Sequence, residues 1–130
     1  MSAIITSNKP QFIEWYLDGK LSIDTRNRFS LDLLGSTCYL YCSHPISKVV
    51  AKATISDIVK LKPTHYSSKI ISLLTAKFDG YFFNVHRSSN YLIKFSNIVK
   101  LDKPLDISFF GKTVAPPSWA YVSKDSKISP

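Results

Sequence analysis

Long apolar runs are missing from this chain. No stretch approaches the roughly 18 residues that a membrane-spanning helix requires, which excludes such a helix. The first residues, MSAIITSNKPQF, have no basic start, no continuous apolar segment and no small-residue cleavage site. They therefore do not read as a secretory signal, and the expected compartment is the cytoplasm. There is no glycine-rich phosphate loop and no cluster of metal-ligating side chains, so neither a cofactor nor a metal is expected. Acids are scarce: 9 Asp and Glu stand against 17 Lys and Arg, leaving a net charge of +8, and Glu14 is the sole glutamate.

Cysteine is also rare. Cys38 and Cys42, in TCYLYCSH, are spaced C-x3-C. On a strand they share one face, with Cα atoms roughly 13 Å apart at about 3.3 Å per residue. That is too far for a disulfide. With only His44 nearby, zinc lacks ligands. Two buried, reduced thiols are expected.

What is present is a globular composition, 45% hydrophobic and 13% aromatic in 130 residues. This is the size of one domain with a real core. The positive excess runs along the whole chain rather than sitting in a tail. It points to an anionic partner, nucleic acid before an acidic membrane.

KPQFIEWYLDG clusters apolar residues at Phe12, Ile13, Trp15, Tyr16 and Leu17, with Pro10 suited to a first helical turn and Gly19 to an end. LSIDTRNRF reads as a strand or an extended arm. STCYLYCS predicts a buried strand ended by Pro45. KVVAKATISDIVKL reads as a strand, SSKIISLLTAKF as a helix followed by a turn at Asp79-Gly80. YLIKFSNIVKL reads as a strand with a bulge near Ser96-Asn97. KPLDIS, opening on Lys103-Pro104, reads as a connection or an edge. PPSWAYVS reads as a proline turn into an aromatic strand. The sum is an α+β chain of five or six strands and two or three helices. Helices are inserted between strands rather than alternating with them, which favours a small mixed β-barrel over a doubly wound sheet.

SNKPQFIEWYLDGKLSIDTRNRF resembles the opening of ASCH domains, small barrels of the PUA-like superfamily. There, a Lys-Pro leads into a short helix and then a glycine-x-lysine-x-x-glutamate-x-arginine motif. YLYCSHPISKVVAKATISDI, FDGYFFNVHRSSNYLIKFSNIVKLDKP and the closing APPSWAY are similar to later segments of that family, in the same order. The resemblance spans about residues 4–122 of a single domain over residues 1–130, with 123–130 a tail. It implies a PUA-like barrel that binds RNA, another single-stranded nucleic acid or a nucleotide-like ligand, in transcription or RNA metabolism. Aligned on Gly19, the motif arginine is Arg26. The lysine falls on Leu21, beside Lys20, and the glutamate on Asp24. Some ASCH proteins are amidohydrolases of N4-acetylcytidine that use a lysine, a threonine and a distal glutamate. Here those first two positions are Leu21 and Asp24, and the third has no counterpart. That activity is not carried over.

Asp24 and Arg26 share a face of an extended segment. The arginine's fixed donors suit a phosphate or a base edge, with the carboxylate as orienter. Lys9, Lys20 and Arg28 are the expected cationic rim, where each phosphate neutralised makes binding salt-dependent. The rings of Tyr39, Tyr41, Trp119 and Tyr121 recur with period two, more often a core pattern than a stacking surface. Trp119, after the Pro-Pro turn, is the preferred stacking residue, and Ser43 is expected to complete the cleft. The alternatives are a hydrolase or ribonuclease, for which His86, Arg87 and Lys94 could converge, and a protein-interaction domain.

Overall fold

The structure, a computed structural model, describes residues 2–60, 90–123 and 126–128. The helix expected at SSKIISLLTAKF, the Asp79-Gly80 turn, His65, His86 and Arg87 lie outside the described residues.

Six strands form one mixed sheet: β1 (Ala3–Asn8), β2 (Ile23–Arg26), β3 (Thr37–Cys42), β4 (Lys48–Lys60), β5 (Tyr91–Leu105) and β6 (Trp119–Tyr121). Their order is β2-β5-β4-β3-β1-β6, so β2 and β6 are the edges. β1 and β3 are parallel and every other pair is antiparallel. The described helices are α1 (Pro10–Leu17) and two single 3-10 turns at Leu31–Leu33 and Ile107–Phe110. This is the small α+β half-barrel that the sequence predicts.

Residue order explains the helix. Pro10 fills its first position, where no N–H is required, and Ile13 and Tyr16 are its buried face. The carbonyl of Trp15 then accepts from the N–H groups of both Lys20 and Leu21. Gly19, at φ +72°, supplies the left-handed residue that this reversal needs. The reversal drops Leu21 into the core.

Period-two alternation sorts the strands between two cores. Ile4, Cys38, Leu40, Cys42, Ala51, Ala53 and Ile55 face inward with the buried side of α1. Ile5, Tyr39, Val49 and Phe110 form a second, outer cluster, flanked by Leu105, Ile107 and Val122. Ile4 and Ile5 are both fully buried, so β1 is covered on both faces. Each such side chain contributes about 1.5–3 kcal/mol. Tyr39 belongs to the outer core, packed on Phe110 with ring centroids 4.9 Å apart. Cys38 and Cys42 share the inner face as free, buried thiols.

The β4–β5 ribbon is long and interrupted. Its pairing shifts at three places. One lies opposite Ser96 to Val99, where Asn97 takes φ +52°. That is the bulge expected from the Ser-Asn pair, since asparagine tolerates this conformation better than most residues. Pro104 departs from expectation: it lies inside β5, not beyond it. Opposite Val49 and Ala51 the register jumps from Leu105 to Lys100. Residues 101–104 thus lie between those two pairings, where a missing proline N–H breaks no paired position. Bulges of this kind bend and coil a ribbon. The coiling brings β2, carried on the far end of β5, back toward β1 and β6.

Candidate functional site

The two edge strands meet, and side chains rather than a backbone ladder join them. Arg26 closes β2. Its Nε donates to Asp24 Oδ2 at 2.9 Å, and Nη2 lies 2.9 Å from the same oxygen in the ion pair. Nη1 donates to the Ser118 carbonyl (3.1 Å) and hydroxyl (3.0 Å), just before β6. Nη2 also donates to the Ser7 carbonyl at 2.9 Å, near the end of β1. Four of the guanidinium's five donors are thus committed to hydrogen bonds within the protein. Asp24 uses its other oxygen to accept from the Thr25 N–H at 2.8 Å. The i, i+2 spacing places the pair on one face as expected, and both side chains are nearly buried, 14% and 12% exposed.

A polar interior continues behind this clasp. The Asn8 amide, oriented to satisfy its neighbours, donates to the Thr6 hydroxyl and accepts from Arg26 Nη2 at 3.3 Å. Thr6 Oγ1 lies 3.4 Å from Cys38 Sγ. Tyr16 donates its hydroxyl to the Ile23 carbonyl at 3.0 Å. Burial pushes the Cys38 thiol up to about 12, offset in part by the Thr6 hydrogen bond. Burial, and next the Asp24 carboxylate, hold the Tyr16 hydroxyl well above the usual phenol range. Both groups are protonated at neutral pH. Cys38 is packed as a small hydrophobe rather than poised as a nucleophile.

Of the seven residues singled out in the sequence, Asp24 and Arg26 form this clasp, and Trp119 meets Arg28 beside it. Trp119 Nε1 donates to the Arg28 carbonyl at 2.8 Å. The Trp119 ring packs against Phe29 at 5.3 Å and Tyr121 at 5.4 Å. The Ser43 N–H donates to the Asn8 carbonyl at 3.0 Å, while its own carbonyl accepts from Ile46 and Ser47 in the turn that ends β3. Lys9 is exposed between Asn8 and α1. Lys20 stands apart: it precedes β2 whereas Arg28 follows it, so the two cations flank opposite ends of that strand. Ser7, Asn8 and Ser118, the partners that complete the clasp, carry no local sequence signal. Serine and asparagine look alike whether they sit in a loop or terminate an arginine.

Among the described residues there are two ion pairs, Asp24–Arg26 and Lys48–Asp106 at 3.6 Å. Lys9, Lys20 and Arg28 belong to neither and are exposed. Among the described residues no group of three or more His, Cys, Asp or Glu could hold a metal ion, and no helix is long and apolar enough to cross a membrane.

No family model matches the chain, and no curated protein does. Solved structures do. The ASCH protein of Zymomonas mobilis superposes with a TM-score of 0.67 at 16% identity, covering 95% of this chain and 89% of that one. A point mutant of the same protein gives 0.67 at 15% identity, covering 95% and 92%. The chain has the fold of an ASCH domain. The N-terminal domain of Thermococcus gammatolerans McrB, in a structure bound to m5C DNA, superposes with a TM-score of 0.60 at 12% identity, covering 96% and 92%. Within this ASCH fold the position expected to carry a motif lysine is Leu21, 1% exposed in the inner core. It supplies packing, not a titratable group.

Proposed function

We propose that this ASCH-type barrel is a nucleic-acid-binding module, reading RNA or another single strand through the cationic rim of the β2–β6 seam. Lys9 and Arg28 offer charge to phosphates at the seam, and Lys20 extends the positive surface past the start of β2. Asp24 and Arg26 frame the cleft. Their mutual bonds and those to Ser7 and Ser118 hold the two edges at fixed separation. Ser43 and Trp119 complete it, the indole anchoring the backbone of Arg28 and offering a ring edge to a base.

The observation that carries this reading is a division of labour among cations. Arg26 spends its donors on the protein, while the neighbouring exposed cations spend none on an acid. A fixed frame with uncommitted charge around it suits the capture of a polyanion. The net charge of +8 supports it. So does the shared fold with a McrB domain that was solved bound to DNA.

The test is a fluorescence-anisotropy titration of labelled single-stranded RNA and DNA at two salt concentrations. The expected result is saturable binding that weakens with salt, weakens further in Lys9→Gln and Arg28→Gln, and leaves the strand intact. Absence of binding at low salt would overturn the proposal. Cleaved strand would replace it with a nuclease.

A further inference from the structure

Beside the seam, the loop after β2 and the facing ends of β4 and β5 border an open concavity of about 410 Å3, lined by Asn27, Arg28, Phe29, Lys60, Asn90 and Tyr91. Two of the six are cations, two are aromatic and two are amides; none is acidic. The volume lies within the range of small-molecule sites, about 300–1,000 Å3.

Its walls are fixed from behind. Trp119 pins the Arg28 carbonyl at 2.8 Å and backs the Phe29 ring at 5.3 Å. Asn90 Nδ2 donates to the Asn27 carbonyl at 3.1 Å, tying the loop after β2 to the start of β5. Tyr91 is in register with Arg26 on one side and Lys60 on the other. The clasp and the concavity therefore share a strand pair. In contrast, the Arg28 guanidinium, the Lys60 ammonium and the Asn27 side-chain amide have no partner among the described residues. These three groups keep charge and hydrogen-bonding capacity that the described residues do not use. The Asn27 amide offers a donor and an acceptor side by side, the complement of a base edge such as adenine N6 and N7.

We infer that this concavity holds one unpaired nucleotide of a bound single strand, with Arg28 and Lys60 on its phosphate, Tyr91 against its base over a floor closed by the buried Phe29, and Asn27 reading the base edge. The inference rests on the nucleic-acid reading above and adds to it a place, a stoichiometry of one nucleotide and a source of base preference. Stacking against aromatic rings tolerates any base, so preference falls to the amide. Phosphate contacts are sequence-blind and appear in the salt dependence.

The two contributions separate in one experiment. Short labelled oligo(A), oligo(C) and oligo(U) are titrated across a salt series with wild type, Lys60→Gln, Asn27→Ala and, as a cation remote from the concavity in sequence and strand position, Lys103→Gln. Circular dichroism confirms that each variant is folded. Lys60→Gln is expected to lower the slope of log K against log salt by about 0.7, the value of one single-strand phosphate contact. Lys103→Gln is expected to leave the slope unchanged. Asn27→Ala is expected to keep the slope and shrink the spread among bases by about tenfold, the scale of one paired amide–base contact. Equal slopes for Lys60→Gln and Lys103→Gln would overturn the inference. So would a wild type without base preference, or a preference that Asn27→Ala leaves intact. All three outcomes would leave nucleic-acid binding itself standing. Failure of wild type to bind any oligomer at low salt would remove the binding reading and this inference together.

Discussion

Arg26 on β2 and Ser118 at the entry to β6 join the two edges of the sheet. The guanidinium Nη1 donates to both the carbonyl and the hydroxyl of Ser118, at 3.1 and 3.0 Å, across 92 residues of sequence. Unpaired strand edges invite association with other chains, and a barrel suppresses that by closing. Here side chains do the closing, Arg26 from β2 and Trp119 from β6.

Removing Arg26 should therefore act on stability before it acts on binding. Arg26→Ala leaves the Asp24 carboxylate without its counter-charge and removes one donor each from the Ser7 and Ser118 carbonyls, although the Ser118 carbonyl keeps the Ser7 N–H and Asp24 keeps the Thr25 N–H. The expected cost is about 3 kcal/mol, at the lower end for breaking a buried ion pair by deleting one partner. Urea unfolding measures it. Arg26→Lys should recover little, because an ammonium cannot reproduce the fork that reaches three strands. A loss below about 1 kcal/mol would mean that the edges are held by something else.

Trp119 links the clasp to the rim. Trp119→Phe keeps an aromatic ring against Phe29 but deletes the 2.8 Å bond to the Arg28 carbonyl. A destabilisation of about 1 kcal/mol is expected, the usual net value of one such hydrogen bond. Nucleic-acid affinity should fall by more than the small stability change accounts for, since at 25 °C the variant remains folded while Arg28 loses its anchor. Thermal melts and anisotropy titrations on one preparation compare the two effects directly.

Cys38 predicts an alkaline limit. Its thiol is pushed from an ordinary 9.0 up to about 12 by burial. A group whose folded value is raised contributes stability that is complete below its unfolded value and lost as pH rises through the folded one. Unfolding midpoints should thus hold steady up to about pH 9 and fall as pH approaches 12, with the raised Tyr16 hydroxyl adding to the fall. Cys38→Ala should flatten part of that slope. At neutral pH, native Cys38 should resist alkylation until denaturant is added.

Leu21 separates packing from chemistry. Restoring the lysine expected in the motif, as Leu21→Lys, puts an ammonium into a site that is 1% exposed. More than about 3 kcal/mol of stability should be lost, or the fold with it. Leu21→Met, which conserves volume, should cost less than about 1.5 kcal/mol. A stable Leu21→Lys protein would show that this position opens toward a cleft.

Local chemistry was legible in the sequence where it was self-contained. Pro10 and Gly19 bracket α1 because each has one conformational use there. The Ser96-Asn97 bulge was legible because asparagine accepts a positive φ. Pro104 was misplaced because a proline inside a strand is tolerated only where the ladder has already lapsed, and the lapse depends on Val49 and Ala51 across the ribbon. The Asp24–Arg26 pair was visible in its i, i+2 spacing. The commitment of Arg26 to further partners was not, since Ser7 and Ser118 are 19 and 92 residues away. Lys60 and Asn90 line one concavity because β4 and β5 pair at Lys60 and Tyr91, and neither carries a local signal. What sequence spacing misses is convergence produced by coiling.

The pairing of β1 with β6 sets Ile4 opposite Tyr121. A ribosome emits the first long before the second, so the early strand must wait, half-partnered, while more than a hundred residues follow. Closure is therefore a late event in time as well as in space. Such distant pairing places the chain among slow folders, on the scale of milliseconds to seconds. During that wait Ile4 and Ile5, both destined for full burial, are the surfaces for which a chaperone would compete.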